Sequence, residues 1–197
     1  MQTELEAKFL EVDPTALREK LTALGASLAY PERLMRRKVF DFPDGRLQKQ
    51  GAWIRVRDEG DRVTVSYKQL LNRSLYGTKE ITVTVNDFAE TCALLETIGL
   101  KERAHQETKR EKWLWDKSEI TIDTWPWIPT FVEIEGISET EIRKQAEALG
   151  FDWDTVLHGS VETAYQKQYD VTEEEVDGWP VISFSPIPDW LEAKRKQ

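Results

Sequence analysis

The sequence predicts an α+β fold: an antiparallel sheet of about eight strands able to close into a barrel, with helices packed on its outside. Three observations predict it. Segments alternating apolar and polar residues at every second position recur along the chain, as half-buried strands do. Capped amphipathic stretches separate blocks of those strands. Most of the strands carry charge opposite their apolar face, so closing the sheet would place charge inside and apolar residues outward, under helices.

The opening stretch, Glu4-Leu5-Glu6-Ala7-Lys8, reads as a strand with Glu4, Glu6 and Lys8 on one face and Leu5, Ala7 and Phe9 on the other. Asp13-Pro14 caps a first helix with a stripe of Leu17, Leu21 and Leu24, ended by Gly25. A strand over 33–42 follows, closed by Pro43-Asp44-Gly45. Trp53 to Arg57 and Arg62 to Gln69 form a hairpin turning at Asp58-Glu59-Gly60-Asp61, and Glu80 to Val85 alternates again. Asn86-Asp87 caps a second helix with Phe88, Leu94, Leu95 and Ile98 facing inward. Strands over 108–116, 119–124 and 130–135 lead to a third helix, capped by Ser138 with Glu141 and ended by Gly150. A short helix is expected over 161–169. The chain divides into a domain over 1–170 and a C-terminal extension over 171–197, packed on it or trailing it. Within that extension, 181–184 reads as an edge strand and 189–197 as a frayed helix.

Composition narrows the function classes. With 197 residues, 40% hydrophobic and 32% charged, the chain can build a proper core and resembles soluble globular proteins. Its net charge of −9 argues against a general nucleic-acid binder. No apolar run is long enough to cross a membrane, and the N-terminus lacks a signal-peptide core. One cysteine, Cys92, cannot form an internal disulfide, and a cytoplasmic location is expected. With only His105 and His158 beside it, no zinc site is credible, and all three are read as structural.

The polar strand faces carry the functional signal. Arg55 pairs with Arg57, Arg110 with Lys112, and Glu133 with Glu135, each two residues apart on one face. Arg37 joins them if Phe40 and Phe42 point outward. Like charges so placed repel in isolation. They make sense if the cations surround a polyanion and the carboxylates hold a divalent metal with oxygen ligands. Phosphoryl transfer is the chemistry such a site supports.

In order, Glu4-Leu5-Glu6-Ala7-Lys8, Arg55-Val56-Arg57, Lys68, Glu80, Arg110, Asp123 and Phe131-Val132-Glu133-Ile134-Glu135 resemble the motif set of the CYTH superfamily, the triphosphate tunnel metalloenzymes. The resemblance covers roughly residues 1–170. It implies an eight-stranded antiparallel barrel forming a tunnel, Mg²⁺ or Mn²⁺ as cofactor, and a small-molecule triphosphate as substrate, with no nucleic-acid or membrane partner. Carried over residue by residue, Lys8, Arg37, Arg55, Arg57, Lys68 and Arg110 would bind the triphosphate. Glu4, Glu6, Asp123, Glu133 and Glu135 would hold metal. Glu80, with Lys68 and Arg57, would act in catalysis, Glu80 polarising the attacking water. The chain departs from the family at Trp125-Pro126-Trp127-Ile128-Pro129, where a Gly-rich segment is common; those tryptophans close a tunnel mouth, stack on a base or simply pack. Lys167 would be a late phosphate contact. Hydrolysis of inorganic, thiamine or nucleoside triphosphate is the leading expectation. A class IV adenylyl cyclase and a non-catalytic polyphosphate or nucleotide binder are the rivals. Oligomeric state is not legible.

Overall fold

The computed structural model describes residues 1–196. Its barrel strands are β1 (Gln2–Glu4), β2 (Glu6–Phe9), β3 (Ser27–Asp41), β4 (Ala52–Asp58), β5 (Val63–Leu70), β6 (Thr78–Val85), β7 (Lys101–Trp115), β8 (Ser118–Thr124) and β9 (Phe131–Glu135). The sheet runs in the order β1-β6-β5-β4-β3-β7-β8-β9-β2, every neighbour on that path antiparallel. The strand count differs from expectation for a simple reason. β1 and β2 are halves of one segment interrupted at Leu5: the first half pairs with β6, the second with β9. That segment closes the sheet into a nearly complete barrel, so nine strands make eight walls. β3 starts earlier than its sequence suggests, because register shifts between Leu28 and Arg33 let the strand bend and stay paired with β7.

Helices α1 (Pro14–Ala23), α2 (Phe88–Thr97) and α3 (Glu139–Leu149) lie outside the barrel. Asp13 Oδ1 accepts from the amides of Thr15 and Ala16 at 2.8 and 3.3 Å, and Ser138 Oγ accepts from Glu141 N at 3.3 Å. Leu17 and Leu21 of α1 and Ile142, Ala146 and Leu149 of α3 cover Ala7, Phe9, Ile120, Ile122, Val132 and Ile134, the outward residues of β2, β8 and β9. Under α2 the core is smaller: Cys92 and Leu100 against Phe40 and Val56.

Three expectations about covered faces are corrected. Leu94 and Ile98 of α2 are exposed, since the helix turns Cys92, Phe88 and Leu95 toward the sheet instead. Among the described residues no helix covers the outside of β6, leaving Ile81 and Val83 more than half exposed. Leu24 is also at the surface.

The last part of the chain is folded onto the barrel. After α4 (Glu162–Gln168), α5 (Glu173–Asp177) is held by a capping box between Thr172 and Glu175. β10 (Val181–Ile182) pairs parallel with β7, and α6 (Asp189–Glu192) follows. Val176, Trp179, Ile182 and Leu191 bury against Trp125, Ile128, Phe131, Tyr165 and Tyr169. The edge strand expected over 181–184 and the helix expected over 189–197 are thus both shorter than their patterns, and Gln197 lies outside the described residues.

Candidate functional site: a charged tunnel

Because alternate residues on each strand face inward, the barrel encloses a cavity of about 1010 Å³. Glu4, Glu6, Lys8, Arg37, Arg55, Arg57, Lys68, Glu80, Arg110, Glu133 and Glu135 all line it. Arg37 arrives there through the expected register, with Phe40 buried on the outside beside Phe42. Asp123 alone of the motif residues is set back. It is fully buried, Oδ1 accepting from Arg110 Nε at 2.6 Å and Oδ2 from Thr121 Oγ1 at 2.7 Å. Lys167 is exposed and lies away from the tunnel.

The charges fall into two groups. In one, carboxylates and cations alternate. Lys8, 1% exposed, lies 3.1 Å from Glu133 and 3.4 Å from Glu6, and donates to the Gly159 carbonyl at 3.0 Å. Lys68 bridges Glu4 at 2.8 Å and Glu80 at 3.2 Å. Arg110 joins Glu133 at 2.7 Å to Asp123. Burial alone would raise the Glu133 carboxyl, but Lys8 and Arg110 overcome it and hold it below the ordinary range. Glu6 goes the other way: burial and the neighbouring Glu133 push it up, against the pull of Lys8. Glu135 is raised to about 7 by burial and by Glu4 and Glu119.

In the other group guanidiniums crowd one another. Arg37 is buried, donates to Thr108 Oγ1 at 2.6 Å and lies 4.7 Å from the Trp125 ring centre. Its Nε has no hydrogen-bond partner, and neither does Nε of Arg55. Burial first, then the charges of Arg57, Arg55 and Arg110, pushes the Arg37 guanidinium well below its ordinary value. Arg55 is lowered to about 10 by burial and Arg57, although Glu80 lies 3.5 Å away. Arg57 is tied to Glu59 at 2.6 Å.

Sequence reasoning missed several lining residues. Glu119 shares the inward face of β8 with Thr121 and Asp123 and bonds Lys112, a signal available from strand alternation. Glu59, Arg62 and Arg103 also line the tunnel. Trp125 packs in the aromatic cluster, as one reading of its segment had it, and also lines the tunnel with its ring against Arg37. Trp127 packs edge-on against Trp179 and takes a left-handed backbone, φ 68°.

The CYTH domain profile matches residues 2–169. The chain belongs to the CYTH family. Its barrel is similar to that of a candidate adenylate cyclase from Vibrio parahaemolyticus, with TM-score 0.73 and 14% identity over 84% of this chain and 98% of that one. A protein from Pyrococcus horikoshii gives TM-score 0.65 and 20% identity over 78% and 93%. A candidate adenylyl cyclase from Hippeastrum, described as having a dominant triphosphatase activity, gives 0.57 and 16% over 90% and 95%. At these identities the likeness shows the fold alone. No curated protein matches the chain in sequence. No helix of this CYTH chain is long and apolar enough to cross a membrane, among the described residues.

The donor set can be tested against a divalent cation. Among the described residues no three carboxylate, histidine or cysteine side chains form a ready cation cage, because Lys8, Lys68 and Arg110 bridge the tunnel's carboxylates. Glu6 and Glu135 nevertheless carry raised carboxyls in a crowd of like charge, which a divalent cation would relieve. The residues therefore fit an oxygen-ligated divalent cation once the bridging cations move to a phosphate.

Proposed function

We propose that this protein hydrolyses a small-molecule triphosphate, with Mg²⁺ or Mn²⁺, inside the tunnel. The observation that carries the reading is Arg37: a buried guanidinium with an unpartnered Nε, under the repulsion of Arg57 and Arg55. Folding gains little from that arrangement, since the unpartnered donor and the repulsion between like charges offset the bond to Thr108 and the stacking on Trp125. A polyanion with oxygen acceptors on every phosphate would satisfy it.

In this reading Arg37, Arg55, Arg57 and Arg110 bind the phosphate oxygens and stabilise charge as the terminal phosphoryl group is transferred. Lys8 and Lys68 now hold carboxylates and would turn toward phosphate on binding. That shift frees Glu4, Glu6, Glu133 and Glu135 as metal ligands. Asp123 joins them only if Arg110 swings away from it. When bound there, a divalent metal would supply charge neutralisation and acidify the attacking water. Glu80, kept ionised by Lys68 and Arg55 despite its burial, orients the attacking water through its oxygens. Attack at the terminal phosphorus gives phosphate and a diphosphate compound. Residues 171–196 act as an extension that seals one side of the wall around Trp125.

The test is incubation with tripolyphosphate, thiamine triphosphate and ATP, with Mg²⁺ or Mn²⁺. Phosphate release supports hydrolysis. Cyclic AMP with pyrophosphate from ATP would make the protein a cyclase, and tight binding without turnover would make it a binder.

A further inference from the structure

Glu59 occupies the β4–β5 hairpin turn, where a glutamate is ordinarily solvated, yet it is 1% exposed. Its Oε1 accepts from Arg57 Nε at 3.0 Å, from Arg57 Nη2 at 2.6 Å and from Thr64 Oγ1 at 3.1 Å. Its Oε2 accepts from Arg62 Nε at 2.9 Å, and its amide donates to the Arg62 carbonyl at 2.9 Å. Both oxygens are thus committed, one to each arginine. Burial on its own would raise this carboxyl, but Arg57 and Arg62 hold it at about 2. The turn is also fixed from outside, where Asp61 meets Arg33 at 2.8 Å and Arg33 lies over the Tyr30 ring.

We propose that Glu59 is a positioning residue that gathers Arg57 and Arg62 into one guanidinium pair at the β4–β5 end of the tunnel and thereby fixes where that end of a triphosphate is gripped. Arg57 is the register partner of Arg37 across β3 and β4, so repulsion from Arg37 and Arg55 acts on it directly. Without a fixed counter-charge a long arginine would relieve that repulsion by turning toward water. Glu59 bonds the Nε–Nη2 edge of Arg57, leaving the Nη1–Nη2 edge for phosphate oxygens. Arg62, half exposed at the same mouth, extends the grip outward. The inference rests on the tunnel taking a triphosphate, as proposed above.

The experiment is a double-mutant cycle with Glu59→Gln, Arg57→Ala and the pair. It reads tripolyphosphate binding by calorimetry without metal, KM and kcat with metal, and thermal stability. Glu59→Gln is expected to weaken binding and raise KM about tenfold, more than it lowers kcat, as loss of a charged contact does. In the Arg57→Ala background the same change should alter binding less than about twofold. Glu59→Asp should recover part of the loss, and carries the same test if Glu59→Gln does not fold. Two results overturn the proposal. One is lower thermal stability with binding and KM unchanged, which makes Glu59 a hairpin staple. The other is an equal loss in both backgrounds. The wild-type arm is separate: binding without hydrolysis leaves the cycle decisive by calorimetry. No binding at all removes the triphosphate reading and this role with it.

Discussion

Replacing Arg37 with methionine separates what the buried guanidinium does for function from what it does for the fold. In the free protein its interactions nearly cancel. The unpartnered Nε is a buried unsatisfied donor, worth about 1–3 kcal/mol against the fold, and repulsion from Arg55, Arg57 and Arg110 adds to that. In its favour stand the bond to Thr108 and the stacking on Trp125. Leaving the Thr108 hydroxyl unpaired costs about 1–3 kcal/mol, and losing the stacking costs about 0.5–2 kcal/mol. Arg37→Met, of similar length, should therefore change stability by no more than about 1.5 kcal/mol in either direction, or roughly 3–6 °C in Tm. Turnover should fall at least about a hundredfold, the usual loss when one donor to transition-state charge is removed. Tripolyphosphate at a hundred times its Kd should stabilise the wild type by about 2.7 kcal/mol and the variant far less. Phosphate release and thermal unfolding, with and without tripolyphosphate, read all three. A variant that loses more than about 3 kcal/mol, the scale of breaking a compensated buried charge, while hydrolysing at the wild-type rate would refute the reasoning.

Other consequences are as direct. Glu133→Gln removes the charge that Lys8 and Arg110 share, so turnover should drop several hundredfold while circular dichroism stays that of a folded barrel. Trp179, packed edge-on against Tyr165 and Trp127, should cost about 3–5 kcal/mol when cut to alanine, read by chemical denaturation. Glu162 is pushed up to about 8 by burial and by Asp177. Its folded form keeps a proton that the unfolded chain releases near its ordinary value of 4.5, so stability is lost as pH rises between these values. Glu162→Gln should flatten that decline between about pH 5 and 8, measured as denaturation midpoints; an unchanged slope would exclude Glu162 as its source.

The sequence made the barrel legible because its inward faces are unusually consistent. Arg55 with Arg57, Glu133 with Glu135, and the opening Glu4-Leu5-Glu6-Ala7-Lys8 all fall where period-two alternation puts them, in one cavity. Alternation says nothing about distance along the tunnel axis, however, so it could not show that Asp123 sits behind Arg110 instead of on the lining. Glu59 was hidden for a different reason: hairpin chemistry explained Asp58-Glu59-Gly60-Asp61 fully, and nothing local shows that a turn glutamate folds back under two arginines. The bare outside of β6 and the inverted burial of Leu94 depend on where α2 docks, a tertiary choice that helix periodicity leaves open. The last segment was opaque because its apolar residues, Val176, Trp179, Ile182 and Leu191, are spread over short elements with no repeating period.

The central claim is that carboxylates and guanidiniums from opposite walls act together on a triphosphate and a divalent cation. The most direct measurement is phosphate release from tripolyphosphate as Mg²⁺ or Mn²⁺ is titrated into chelator-treated protein. The account predicts no release without metal and, once metal is restored, equal amounts of phosphate and pyrophosphate. Release that ignores the metal, or saturable tripolyphosphate binding with no products at any metal concentration, would contradict it.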